Sequence, residues 1–354
     1  MSATGRALLE RFNAQAPGTS FEARVEEYSP ALRMRLLEAG ARHRAERTAD
    51  GSWRLEIRRG KAPAQGSIPG VHHVVSDGTS VWACERGRRV ARIDAETGFP
   101  VAVKAVARKA SHLALDASAG LLIVADSEAN ELVALRAADL SLQNRWPAPG
   151  APQLPLVGAD GTVCVTGGAS GTLTIIRARQ HAQTITVGAC PHDPLLDAEG
   201  THVFIPCAGA SEVVKVRLSD GRIVGRCPAG EGPSHLALHP DGRRFYAANS
   251  WDGTVSCFSS DGETIATAPS GGWAHAIDIH PEGKWLYVAT GFASHHVRVF
   301  DAHSHCELAR VAVGAGSSHS VFAGGMAYIG CSISDHVAGL ALGTFTVQRR
   351  IAIH

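Results

Sequence analysis

From residue 71 onward the chain alternates short apolar runs with corners rich in glycine, proline, aspartate and serine, and the alternation repeats. The clearest copies are "SHLALDASAGLLIVADSEANELVALRAADL" from Ser111, "SHLALHPDGRRFYAANSWDGTVSCFSSDG" from Ser234 and "AHAIDIHPEGKWLYVATGFASHHVRVFDAHS" from Ala274. Looser copies begin near Val71, Pro152, Pro191 and Ser318, which makes seven. Each unit reads as an apolar strand, a Gly-containing corner, a second strand, and a polar loop leading to a third. A period of about 40 residues with several strands per unit predicts a β-propeller, in which a blade buries its faces only against its neighbours.

Before residue 61 the pattern differs. "SFEARVEEY" reads as a strand. "SPALRMRLLEAGA" reads as a helix, with Ser29 as N-cap, Pro30 in its first turn and Gly40 near its end, and "HRAERTADGSWRLEIRRG" reads as a hairpin turning at Asp50-Gly51. The expected organisation is therefore mainly β: a small α+β domain over residues 1–60, a linker "KAPAQGSIPG" over 61–70, and a seven-bladed β-propeller over 71–354.

Composition narrows the function. With 34 basic and 33 acidic side chains the chain carries no electrostatic footprint for nucleic acid or an anionic membrane. No run of about 18 apolar residues occurs, which argues against a membrane-spanning helix. The N-terminus places Arg6, Glu10 and Arg11 among its apolar residues and so lacks a secretory h-region, which leads to a cytoplasmic expectation. The eight cysteines show no CxxC spacing, so neither a disulfide framework nor a zinc ribbon is expected.

Histidine is the chemistry-bearing residue. His72 and His73, His112, His192, His235, His275 and His319 stand at the starts of first strands, in six of the seven units, with Gln153 in the unit left out. First strands line the central channel of a propeller, so these imidazoles are expected to converge on one mouth. Crowded imidazoles disfavour one another's protonation, and neutral nitrogens facing inward form a ligand set for a transition metal, copper in particular. A single histidine at such a position is as readily structural, bonding the preceding loop. His192 and His275 stand five residues before the turn position, whereas His112 and His235 stand four before it. Strand alternation could therefore split the set into two tiers.

The turns "HPDG" and "HPEG" followed by "FYAAN" and "LYVAT" resemble the YVTN-type repeats of seven-bladed propellers and of the lactonase-like family. The histidine pattern, an adjacent pair in one unit and single residues in others, resembles the copper-cluster propeller of nitrous-oxide reductase. It is similar also to copper-dependent thiocyanate dehydrogenase. The resemblance implies copper, more than one ion, and redox chemistry on a small nitrogen-oxide or sulfur-containing molecule. No cupredoxin domain follows the propeller, so electrons would come from a redox partner protein or from the substrate. The N-terminal segment resembles TusA-like domains of the DUF2249 type; with no cysteine before Cys84 it implies docking or subunit contact, including homo-oligomerisation, rather than sulfur relay.

A second layer is expected at the ends of second strands and in the adjoining loops: Cys84, Asp126, Cys207, Cys331, His295, His296 and His336, with Asn249 in the same position. Thiolates would suit Cu(I) and a carboxylate could orient a ligating imidazole. His239, His280, His303 and His305 are expected to be solvated. The alternatives are a haem d1-type tetrapyrrole ligated by histidine, a lactonase-like hydrolase with carboxylates at the funnel, and a non-catalytic interaction scaffold. No GxSxG, Walker-type or HExxH motif is present.

Overall fold

The turn residues determine where each strand stops, and the computed structural model shows one place where they are missing. It describes residues 7–8, 10–11, 14, 20–26, 41–48, 50, 52–59, 71–77, 79–85, 87–94, 100–178, 181–290, 295–323, 325–331, 333–334 and 336–352. The chain folds as two compact units, Met1–Ile68 and Pro69–His354.

In the first unit β1 (Ser20–Val25), β2 (Ala41–Arg47) and β3 (Trp53–Arg59) form an antiparallel sheet in the order β1-β3-β2. Leu55 and Ile57 are buried while Arg54 and Glu56 are exposed, the two-residue alternation of a half-covered sheet. The β2–β3 hairpin turns where expected: the Asp50 carboxylate accepts hydrogen bonds from Thr48 Oγ1 and Ser52 N. The helix expected from Pro30 to Gly40 lies outside the described residues.

The second unit is a β-propeller. Its described strands form six antiparallel sheets, and the first sheet contains two repeat units. It runs β4 (Val71–Ser76), β5 (Ser80–Glu85), β6 (Gly87–Asp94), β7 (Pro100–Asp116), β8 (Leu121–Asp126), β9 (Glu131–Arg136) and β10 (Leu142–Pro147). Strand β7 serves twice. Residues 100–105 pair with β6 and residues 113–116 pair with β8. "VAVKAVARKASHLALD" holds no glycine or proline, whereas the later junctions read "PAPGAPQ", "VGACPHDP", "PAGEGPS", "PSGGWA" and "VGAGSS". Those breakers separate five four-stranded sheets: Leu156–Thr186, Leu195–Pro228, Pro233–Pro269, Ala276–Ala312 and Ser317–Ala352.

The core lies between neighbouring sheets. Tyr246, Ala248 and Cys257 of the fifth unit pack with Ile277, Leu286, Val288 and Phe300 of the sixth. Phe204 of the fourth unit meets Phe245 of the fifth at 4.3 Å between ring centroids, and Phe245 stacks on Phe258 at 4.8 Å. Each such side chain contributes about 1.5–3 kcal/mol by leaving water. Polar side chains repeat one inter-unit tie. Trp82 Nε1 donates to Ala137 O, Arg177 Nε to Leu218 O, Lys215 Nζ to Ser260 O and Tyr246 OH to Ala302 O. In each case the acceptor is a carbonyl in the turn between the third and fourth strands of the next unit.

Two groups of expected surface histidines are corrected. His239 and His280, in the "HPDG" and "HPEG" turns, are buried at 9% and 7% exposure rather than solvated. Their Nδ1 atoms accept from Asp241 N and Glu282 N, tying down turns whose glycines, Gly242 and Gly283, hold positive φ of 69° and 71°. His305 is half-buried and lines a small apolar cavity beside Tyr246, Cys257 and Phe300, whereas His303 is exposed as expected.

Tyr246→Phe leaves the buried Ala302 carbonyl without its donor. It is expected to lower stability by about 1–3 kcal/mol, read as a lower urea midpoint, with little change in far-UV circular dichroism. An unchanged midpoint would show that the tie carries no energy.

Candidate functional site

A first strand in a propeller is an edge. One side pairs with the second strand of its own unit and the other faces the channel, so its outward N–H groups need acceptors from elsewhere. Three side chains of neighbouring units supply them. His73 Nδ1 accepts from Leu113 N at 3.3 Å, His235 Nδ1 from Ile277 N at 3.2 Å, and Asp278 Oδ2 from Ser320 N at 2.6 Å. Each donor lies in the first strand of the unit that follows the acceptor.

Bulges place the histidines. Pairing between first and second strands shifts register at Val71/His73, Ala110/Leu113, Pro233/His235 and Ser317/Ser320. His192 and His275 instead precede the short strands Leu195–Leu196 and Ala276–Ile279 and bond through their backbone N–H groups to Pro206 O and Ala289 O. A bulge re-aims a side chain, so the two spacings need not put their rings on opposite faces.

The imidazoles converge, and a carboxylate stands among them. Ligand atoms of Asp193, His235 and His319 lie within 4.8 Å of one another. The His235 and His319 rings meet at 4.5 Å between centroids, and His73 meets His112 at 5.3 Å. Burial pushes the Asp193 carboxyl up, but the imidazoles of His112, His235, His192 and His319 override it and bring it down to about 2. Burial lowers His275 to about 3, with help from His319 and His235, and burial also lowers His192 and His235. His319 goes the other way. Burial opposes its charge, yet Asp278 and Asp193 outweigh burial and raise it; His319 Nδ1 lies 3.8 Å from Asp278 Oδ1. The cluster thus holds ionised carboxylates and mostly neutral rings.

Two of the imidazoles use a ring nitrogen on the backbone of the next unit. A neutral imidazole carries one proton, so a ring whose Nδ1 accepts a backbone N–H carries its proton on Nε2. His73 and His235 are therefore donors through Nε2. His319 is the opposite case: Nδ1 stands 3.8 Å from the Asp278 carboxylate, so a ring that gives up its Nε2 proton would offer that nitrogen to a ligand, the carboxylate–histidine–metal arrangement. The side chain of His72 lies outside the described residues.

Among the described residues, those of the expected second layer have partners of their own. Cys84 is buried and its Sγ donates to Ser111 O. Asp126 accepts from the backbone N–H groups of Arg108, Lys109, Glu128 and Ala129, a local loop cap. Burial raises the Cys207 and Cys331 thiols to about 12 and about 11, so neither is a thiolate, and Cys331 Sγ donates to Ile329 O. His295 is exposed, and the half-buried His296 feels Arg310, His295 and Arg298 rather than the channel histidines. The side chain of His336 lies outside the described residues, and Asn249 Nδ2 bonds Thr254 and Ser256 within its own blade.

Sequence reading missed the two carboxylates. Asp193 follows His192 directly in "PHDP", and Asp278 interrupts the apolar strand "AIDI". An acidic residue on a buried strand is the signal that could have found Asp278.

Residues 174–305 match a family model described as Lactonase, 7-bladed beta-propeller. No curated protein sequence matches the chain. Among solved structures, hydrazine synthase of Kuenenia stuttgartiensis is similar, with a TM-score of 0.66 at 17% identity, covering 80% of this chain and 99% of that one. The dihydro-heme d1 dehydrogenase NirN in complex with DHE has a TM-score of 0.62 at 16% identity, over 78% of this chain and 64% of that one. A putative 6-phosphogluconolactonase from Bacteroides uniformis has 0.64 at 17%, over 78% and 94%. At these identities the likeness is one of fold: a β-propeller. No helix among the described residues is long and apolar enough to cross a membrane.

Acid stability tests the buried rings in the metal-free protein. His275 has its folded pKa lowered, so the unfolded chain binds its proton first, and stability falls as pH drops from about 6.5 toward 3. In His275→Gln this loss is expected to shrink, by at most ~1.4 kcal/mol per pH unit, measured as melting temperature between pH 7 and 5. An identical pH slope in the variant would place His275 in water.

Proposed function

We propose that the propeller holds a single transition-metal cation in its channel, with Asp193 and His319 as protein ligands, and that this ion is the working group of the protein. The observation that carries the reading is Asp193: its Oδ1 is buried and makes no hydrogen bond, and a carboxylate oxygen of the residue lies within 4.8 Å of ring nitrogens of His235 and His319. A buried charge without a partner is costly, and a cation is the partner this donor set suits. Asp278, behind His319, would fix that ring's tautomer and strengthen its nitrogen as a donor.

The donor set bears on the metal. A carboxylate with imidazole and open positions suits Fe(II), Zn(II) or Mn(II) better than a thiolate- or histidine-only copper cluster, and no comparison speaks for copper. Iron would allow redox chemistry on a small nitrogen-oxide or sulfur-containing molecule. Zinc or manganese would acidify a bound water and suit hydrolysis of a small ester, in keeping with the lactonase-type match over residues 174–305.

A second reading has its own support. The likeness to NirN, a dihydro-heme d1 dehydrogenase, favours a metal that arrives as the iron of a tetrapyrrole. Trp273, whose ring stands 6.2 Å from that of His275, offers an aromatic wall beside the cluster. His319 would then be the residue that holds that iron.

The full chain, reconstituted in turn with Fe(II), Zn(II), Mn(II) and Cu(II) and assayed by elemental analysis, is expected to retain one ion. Asp193→Asn should abolish retention and Asp278→Asn should weaken it about tenfold. Full retention in both Asp193→Asn and His319→Gln would contradict the assignment. The absorption spectrum of the isolated protein separates the two readings, since only a tetrapyrrole gives a Soret band.

A further inference from the structure

His235 is the member of the central triad whose proton the fold itself places. Its Nδ1 accepts the Ile277 N–H at 3.2 Å, so its neutral ring carries the remaining proton on Nε2. The bond is part of a repeated device: His73 takes the Leu113 N–H in the same way, and Asp278 takes the Ser320 N–H. Breaking it would leave a channel-edge N–H unsatisfied. The ring meets that of His319 at 4.5 Å, and the charged or titratable groups acting on it are His319, Asp278 and Asp193.

We propose that His235 is a hydrogen-bond donor at the metal centre rather than a metal ligand, and that its Nε2–H helps to hold a small anion bound at the metal's open position. This rests on the metal reading above. A divalent ion bound to one carboxylate and a neutral imidazole keeps open positions and a positive charge in its own ligand shell, with the Asp278 carboxylate outside that shell behind His319; a small anion at an open position therefore gains from a donor beside it. A fixed N–H donor beside it adds a charge-assisted hydrogen bond that costs little reorganisation, because the bond to Ile277 already orients the ring. The class of ligand is a small oxyanion, carboxylate or pseudohalide.

The test uses the full chain loaded with Co(II), whose visible bands report the metal, titrated with azide. In His235→Asn the side-chain amide oxygen can still accept the Ile277 N–H, as the Asp278 carboxylate does for Ser320, but no Nε2–H remains. The variant is expected to bind Co(II) within about twofold of the parent and azide about tenfold more weakly. Unchanged azide affinity would overturn the proposal, and so would loss of Co(II) by a variant that keeps the parent's circular dichroism, because His235 would then be a ligand. His235→Ala removes both roles and should lose azide affinity together with melting temperature. If the parent takes up no Co(II), the metal reading fails, and azide titrated calorimetrically into the metal-free chain decides the donor role by itself. Saturable binding that is weakened in His235→Asn upholds it, and no binding overturns it.

Discussion

The inner edge of the first strands is the constraint on which the channel depends. A propeller pairs each strand within its own blade, so the innermost strand leaves a row of N–H groups facing the axis. This chain answers with side chains from the preceding unit: His73 to Leu113, His235 to Ile277 and Asp278 to Ser320. The ties that hold neighbouring units together are the same bonds that set the orientation and protonation of the rings in the channel. Structure and chemistry here share residues, which is why histidine at a blade start need not be either structural or functional.

The electrostatics follow from burial. Burial lowers His275, His192 and His235, whereas at Asp193 and Asp278 the neighbouring imidazoles, His319 among them, outweigh burial and lower the carboxyls. His319 alone of these rings is pushed toward the charged form, by Asp278 and Asp193. The result is a pocket of carboxylate charge lined by neutral nitrogen. Such a pocket accepts a cation at modest cost, since its carboxylates are already ionised and His319 is the one ring that must give up a proton to ligate.

Much of the fold was legible because the period is written in breakers. Gly- and Pro-rich junctions mark five of the blade boundaries, and the first boundary was legible only from the repeat of "SHLAL", since Pro100–Asp116 crosses it as one strand. The nearness of His73 to His112 and of His235 to His319 follows the same period. What escaped was whatever depends on partners from the next unit, about 40 residues away in sequence: the proton on His235 is decided by Ile277 N, and the lone pair of His319 by Asp278. Asp193 escaped because the pattern sought was imidazole alone. The burial of His239 and His280 escaped because a turn motif reads as exposed until the neighbouring unit packs on it, as Gly283 O does against His239 Nε2 at 3.2 Å.

Backbone N–H groups at the channel edge fix the tautomers of His73 and His235. Selective nitrogen-15 labelling of histidine and long-range proton–nitrogen correlation of the metal-free protein read the tautomer of each ring directly. His73 and His235 are expected to carry their proton on Nε2 with Nδ1 bare. A proton on Nδ1 of His235 would contradict this, because that nitrogen could not then accept the Ile277 N–H.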